Sequence, residues 1–198
     1  MNNQEDRLAI VIPAYKGIFF NQTLESLARQ TCKDFVVYIG DDASPENLET
    51  LTDSYKSKMS LVYKRFESNL GESDLVAHWK RCVDLVQNEE WIWFFSDDDV
   101  ASPDCVEGFF ETLKFYGDRT LEDKVFRFTL NITDKDLNLI HKYMTPEIFS
   151  VEYFLENYFV SHTFTNRAVE FVFSKSLYNK IGGFVNFPLA WGSDLATF

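Results

Sequence analysis

Three short, almost unbroken apolar runs constrain this chain more than any other feature: Leu8-Ala-Ile-Val-Ile-Pro13, Phe35-Val-Val-Tyr-Ile-Gly40 and Trp91-Ile-Trp-Phe-Phe95. A strand with one wet face alternates apolar and polar residues. Runs without that alternation belong to strands covered on both faces, as in a parallel sheet sandwiched between helices. The first run stops at a proline, the second enters Asp41-Asp42 and the third enters Asp97. Between them the apolar period lengthens: Leu48, Leu51, Tyr55 and Met59 recur at helical spacing, as do Leu75/Val76, Trp79, Cys82/Val83 and Val86. Ser44-Pro45-Glu46 and Ser102-Pro103-Asp104 read as helix starts, with serine as capping acceptor, proline at the first helical position and an acid against the positive dipole end. Leu61-Val-Tyr63 predicts a further strand.

This alternation, from residue 8 to about 115, predicts an α/β fold: a Rossmann-like, mostly parallel sheet flanked by helices, with right-handed crossovers. Ligands of such sheets sit beyond the carboxyl ends of the strands, which is where Asp41, Asp42 and Asp97 to Asp99 fall. After residue 120 the pattern loosens into a strand over 125–130, a helix over 151–158, a strand over 170–174 and a helix over 175–181. With 45% hydrophobic residues among 198, and neither repeat nor linker, a single domain over residues 1–198 is expected.

The formal net charge of -12 argues against a nucleic-acid groove, which needs clustered Lys and Arg to displace counterions. It also means that a phosphate ligand requires a local basic pocket or a bound cation. Cys32, Cys82 and Cys105 lie too far apart for a zinc knuckle and are odd in number for a disulfide framework, so buried free thiols are expected. No apolar run approaches the roughly 20 residues that span a bilayer. Met1 to Arg7 is polar rather than a charged leader before an apolar segment, so a soluble, cytoplasmic protein is expected.

Neither a P-loop nor a dinucleotide fingerprint follows the first strand, where the turn is Pro13-Ala14-Tyr15-Lys16. Asp97-Asp98-Asp99 is the conspicuous motif: three adjacent carboxylates at a strand end repel one another unless solvent or a cation neutralises them. Hard oxygen ligands suit Mg2+ or Mn2+, which complete their shell with water and substrate phosphates. An acidic loop that only solubilises a strand end, or caps the next helix, reads the same way. Asp41-Asp42 has the same two readings, a turn into a helix or an acceptor for nucleobase and ribose donors. His78 lies next to the apolar face of a helix, and His141 and His162 lack partners at ligand spacing, so all three read as ordinary surface or core residues, whereas Trp191, in a loop-like stretch, is a candidate to stack on a flat ligand.

In order and spacing, Ala9-Ile-Val-Ile-Pro-Ala-Tyr15, Thr23-Leu-Glu-Ser-Leu-Ala-Arg-Gln-Thr31, Ile39-Gly-Asp-Asp-Ala-Ser44, Asn69-Leu-Gly71 and Phe95-Ser-Asp-Asp-Asp-Val100 with Pro103 resemble the family 2 glycosyltransferases. Ile181-Gly-Gly-Phe184 and Trp191-Gly-Ser-Asp194 extend the likeness more loosely. The resemblance implies a GT-A fold and transfer, with inversion, of a sugar from a nucleoside-diphosphate sugar to an acceptor hydroxyl. It implies that Pro13, Ala14, Tyr15, Asp41, Asp42, Asn69 and Asp97 hold the nucleotide sugar, and that Asp98 and Asp99 hold Mn2+ or Mg2+. The family often has Asp-x-Asp-Asp at the metal motif; Ser96 stands at its first position here, which makes Asp98 the first candidate ligand. Asp194 is the implied catalytic base.

The implied acceptor is a saccharide or a lipid-linked saccharide, as in polysaccharide biosynthesis, with peripheral membrane contact and no nucleic acid. Family members usually continue well past the base, so the resemblance implies a chain truncated at its C-terminus, with its acceptor site unfinished. Two competing readings are a non-catalytic α/β module binding a nucleotide or partner, and a sugar-phosphate nucleotidylyltransferase. The missing glycine-rich basic turn after the first strand counts against the latter.

Overall fold

The structure is a computed structural model and describes residues 8–116 and 124–197. The polar start of the chain, read above as no leader, lies outside the described residues. Four parallel strands form the centre: β1 (Leu8–Ala14), β2 (Phe35–Asp41), β3 (Leu61–Arg65) and β4 (Trp91–Phe94). Two short strands, β5 (Val125–Arg127) and β8 (Phe171–Ser174), complete a six-stranded sheet of order β3-β2-β1-β4-β8-β5. Only β8 runs against the others, antiparallel to both β4 and β5. A separate hairpin pairs β6 (Asn131–Thr133) with β7 (Leu139–Lys142).

The unbroken apolar runs have the predicted cause. Leu8, Ile10, Ile12, Val37, Ile39, Trp91 and Trp93 face one core. Their sequence neighbours Ala9, Val11, Val36, Tyr38, Ile92 and Phe94 face another on the opposite side of the sheet. Helices α1 (Phe20–Ala28), α2 (Leu48–Asp53) and α4 (Cys105–Tyr116) cover the first face, through Phe20, Leu24, Leu27, Leu48, Val106, Phe109 and Leu113. Helices α3 (Leu75–Val83) and α6 (Lys175–Lys180) cover the second, through Cys82, Val83 and Tyr178. Each large aliphatic side chain so buried contributes about 2 kcal/mol, which makes this central sheet the rigid part of the molecule.

Several local expectations are corrected. Asn47, not Ser44, caps α2, its side chain accepting from Thr50 N, because Ser44 is occupied in joining two loops. That helix ends at Asp53, and hydrogen-bonded turns carry the chain on to Met59. The strand expected over 125–130 stops at Arg127, and α5 (Val151–Phe159) runs one residue beyond its predicted end. All three cysteines are free, but only Cys82 is buried. Among the described residues no helix is long and apolar enough to cross a membrane.

Candidate active site

The carboxyl ends of β1, β2 and β4 come together because the strands are parallel and in register, with Ala14 paired to Asp41. Asp42 N donates to Ala14 O at 2.9 Å and Phe95 N donates to Val11 O at 2.8 Å, carrying the pairing into the loops. Three loops are then bound to one another by side chains. Asp97 Oδ2 accepts the N–H groups of Tyr15 and Lys16, each at 2.8 Å. Ser44 Oγ donates to Tyr15 O at 2.6 Å, and Glu46 Oε1 accepts from Gly17 N at 2.8 Å. The Pro13-Ala14-Tyr15 turn is thus pinned from both sides, leaving the Tyr15 ring 39% exposed over the edge.

Asp41 and Asp42 are buried and fully engaged. Asp41 accepts from Ser44 N at 2.7 Å, Arg65 Nη1 at 2.7 Å and the Tyr63 hydroxyl. Burial, together with that bond to Asp41, pushes the Tyr63 phenol well up. Asp42 accepts from Leu70 N and Gly71 N, each at 2.8 Å, and pairs with Arg81. Arg81 stacks 3.9 Å from the Phe66 ring centre and donates from Nε to His78 Nδ1 at 3.0 Å. Burial drives His78 down to about 4, so it stays neutral as that acceptor. Gly71 has a steric reason: a Cβ there would lie 2.6 Å from Asp42 Oδ2. Directly after the two aspartates Ala43 holds φ 56, a left-handed conformation kept in place by the bonds of Asp42 and Ser44 on either side. Asn69 Oδ1 accepts from Glu72 N at 3.0 Å and so shapes the same turn.

The three adjacent aspartates divide their work. Asp97 is spent on backbone amides; burial raises its carboxyl and the two amides oppose the rise. Asp98 is exposed. Burial first, then the charge of Asp98, lift Asp99 to about 6, against a Ser96 hydrogen bond and the positive charge of Arg167. Among the described residues no three His, Cys, Asp or Glu side chains converge on a metal position. The pair Asp98 and Asp99 nevertheless fits a hard divalent ion that takes one or two carboxylates and leaves its other positions to water and phosphate.

Asp194 lies in the first turn of α7 (Ser193–Thr197), half-buried, its Oδ1 accepting from Leu195 N at 2.9 Å. Its segment is moored to the sheet by Phe184, whose ring centre lies 5.0 Å from Phe94 and 5.6 Å from Trp79. Asn186 Nδ2 adds contacts to the Asp74 carboxylate at 3.3 Å. Gly182 and Gly183, at φ 83 and 88, supply the turn before it. Trp191 is 82% exposed beside it. Among the described residues no hydrogen bond or ion pair joins Asp194 to the aspartate run. The predicted nucleotide residues Pro13 to Tyr15, Asp41, Asp42, Asn69 and Asp97 thus form one bonded unit, Asp98 and Asp99 stand at its rim, and Asp194 belongs to a separate segment.

Sequence reading missed Arg65 and Arg81, the cations that neutralise Asp41 and Asp42. Arg65 had a signal, since it sits at the end of β3, next to the strand that ends in Asp41.

The family model for glycosyl transferase family 2 matches residues 9–178. The chain belongs to that family. No curated protein sequence matches it significantly. Among solved structures, residues 1–349 of TarS from S. aureus superpose with a TM-score of 0.72 at 16% identity, over 96% of this chain and 54% of that one. The mannosyltransferase PcManGT from Pyrobaculum calidifontis, solved with GDP-Man and Mn2+, gives 0.62 at 14% identity, over 95% of this chain and 49% of that one. TarS has also been solved with UDP-GlcNAc, at 0.67 and 16% identity over 91% and 49%. At these identities the likeness establishes the GT-A fold, and the chain spans about half the length of the structures it matches.

Proposed function

We propose that this family 2 chain transfers a sugar from a nucleoside-diphosphate sugar to an acceptor hydroxyl, with inversion and with the help of Mn2+ or Mg2+. One observation carries the reading: Asp97 binds the amides of the Tyr15-Lys16 turn, which ties exposed Asp98 and partly buried Asp99 to the segment that bears the Tyr15 ring. A flat stacking surface for a base joined to hard oxygen ligands for a diphosphate-bound cation supports the reading. Nucleotide-sugar complexes of the neighbours, UDP-GlcNAc in TarS and GDP-Man with Mn2+ in the mannosyltransferase, support the same donor chemistry.

In this reading Pro13, Ala14 and Tyr15 form the base platform. Asp41, Asp42, Asn69 and Asp97 hold its loops in place. Asp98 and Asp99 would hold the divalent cation, which when bound neutralises charge on the departing diphosphate. Asp194 takes the proton of the acceptor hydroxyl as that oxygen attacks the anomeric carbon, since a neutral hydroxyl is a poor nucleophile. Exposed Leu189 and Trp191, at 79% and 82%, offer the apolar surface on which a saccharide or lipid-linked acceptor would rest. The reaction class is that of polysaccharide biosynthesis, with this domain working in the cytoplasm and in peripheral contact with a membrane.

Calorimetric titration with UDP and GDP, with and without Mn2+, tests the proposal. Heat that depends on the metal is expected for one of the two. A chain that binds neither nucleotide, or binds with no response to metal, does not have this site.

A further inference from the structure

The approach to the aspartate run from the antiparallel side of the sheet has so far no role. Along β4 and β8, Trp91 faces Ser174, Ile92 faces Phe173 and Trp93 faces Val172. Each step forward on one is a step back on the other, so the chain entering β8 runs beside the chain leaving β4. Trp93 Nε1 confirms it by donating to Val169 O at 2.7 Å. The entering segment is a tight turn, Ala168–Glu170, and Arg167 stands at its head.

That turn is anchored in the interior. Glu170, 2% exposed, accepts Arg167 N on Oε1 at 2.7 Å, and Arg127 Nε and Nη2 on Oε2 at 2.8 and 2.5 Å. The Arg127 guanidinium lies among the rings of Phe154, Phe164 and Phe171 and also donates to Thr165 O. A buried ion pair of this kind gains little net stability over an apolar substitute, and its best-attested use is to set geometry. What it sets here is the position of Arg167, whose own side chain is exposed. The other guanidiniums at this edge, Arg65 and Arg81, are already committed to Asp41 and Asp42. Arg167 instead heads the turn that returns beside the end of β4, from which the aspartate run departs.

We propose that Arg167 is a donor-contact residue, its guanidinium closing the antiparallel-strand side of the aspartate run and engaging the diphosphate of the nucleotide sugar. Arg127 and Glu170 are its positioning residues. The inference rests on the donor reading above, and it supplies the fixed positive charge that so acidic a chain needs to receive an anionic ligand.

The test titrates the whole chain, with Mn2+ present, against UDP, GDP, UMP and GMP. For the base that the wild type binds, Arg167→Gln lowers diphosphate affinity about tenfold or more and monophosphate affinity less than about threefold. Arg167→Lys restores part of the loss, and also serves should the glutamine variant melt early. Lys135→Gln removes an equal charge from the surface pair with Asp136 and changes neither affinity. Unchanged diphosphate affinity in Arg167→Gln overturns the inference while leaving the donor reading intact. Equal losses for mono- and diphosphate overturn it too, since Arg167 would then only shape the loop. A wild type that binds none of the four nucleotides overturns the donor reading and this inference together.

Discussion

The carboxyl edge of β1, β2 and β4 and the outer excursion over residues 131–162 are held by different means. At the edge, Asp41, Asp42 and Asp97 are saturated by backbone amides and guanidiniums. In the excursion Leu139, Ile148 and Val160 turn outward, exposed by 62%, 71% and 74%. The contrast teaches where preorganisation is needed. A base and a diphosphate have a fixed shape and charge, so the groups that meet them gain from being locked before binding. The outer excursion contributes little to the central cores and is free to vary, whereas its return through Val169 and Glu170 is anchored there.

The sharpest test of the edge sets it against the segment that carries Asp194. Asp194→Asn is expected to lower sugar transfer about 100-fold or more while nucleotide affinity stays within about twofold. Asp98→Ala should abolish metal-dependent nucleotide binding. Equal binding losses in both would erase the division between a donor edge and an acceptor segment. Next, Asp42→Ala leaves Arg81 without its carboxylate and frees the Leu70 and Gly71 amides, which should cost about 3 kcal/mol in urea unfolding. A comparable loss from Val160→Ser would mean that the excursion is as tightly held as the edge.

The pH dependence of unfolding gives a smaller effect. His78 is depressed from the ordinary 6.5 to about 4 by burial, so between those values the unfolded chain binds a proton that the folded chain refuses. Stability attributable to this group is therefore complete above about pH 6.5, declines as the pH falls towards 4 and then levels off. In His78→Gln that part of the acid-side decline should flatten; an unchanged profile would show that His78 is not held neutral beside Arg81. The smallest effect is expected from Trp191→Ala, within about 0.5 kcal/mol of wild-type stability, because that ring is almost wholly exposed.

Strands β1, β2 and β4 were legible because burial on both faces leaves an unbroken apolar string that no surface strand produces. The hairpin of β6 and β7 was not, since Leu139 and Ile140 are exposed and no core selects its pattern. Its local signal was Asp134, whose Oδ1 accepts from Asp136 N and Asn138 N in the connecting turn. The aspartates could be placed at strand ends from order alone. Their division of labour could not, because whether a carboxylate binds amides, a guanidinium or solvent depends on residues such as Tyr15, Arg65 and Arg81 brought in from distant parts of the chain. Ser44 shows the same limit: its sequence context marks a helix cap, and the fold uses it as a strut between two loops.

The reversed direction of β8 has an architectural corollary. With Arg127 paired to Phe171, the polypeptide departs and re-enters at one and the same rim. Material lengthened, shortened or exchanged in the hairpin of β6 and β7 leaves Arg167, the Arg127–Glu170 anchor and the sheet rungs in place. In the proposed reading, transplanting that hairpin from one relative to another is a natural route to redirecting which molecule receives the sugar.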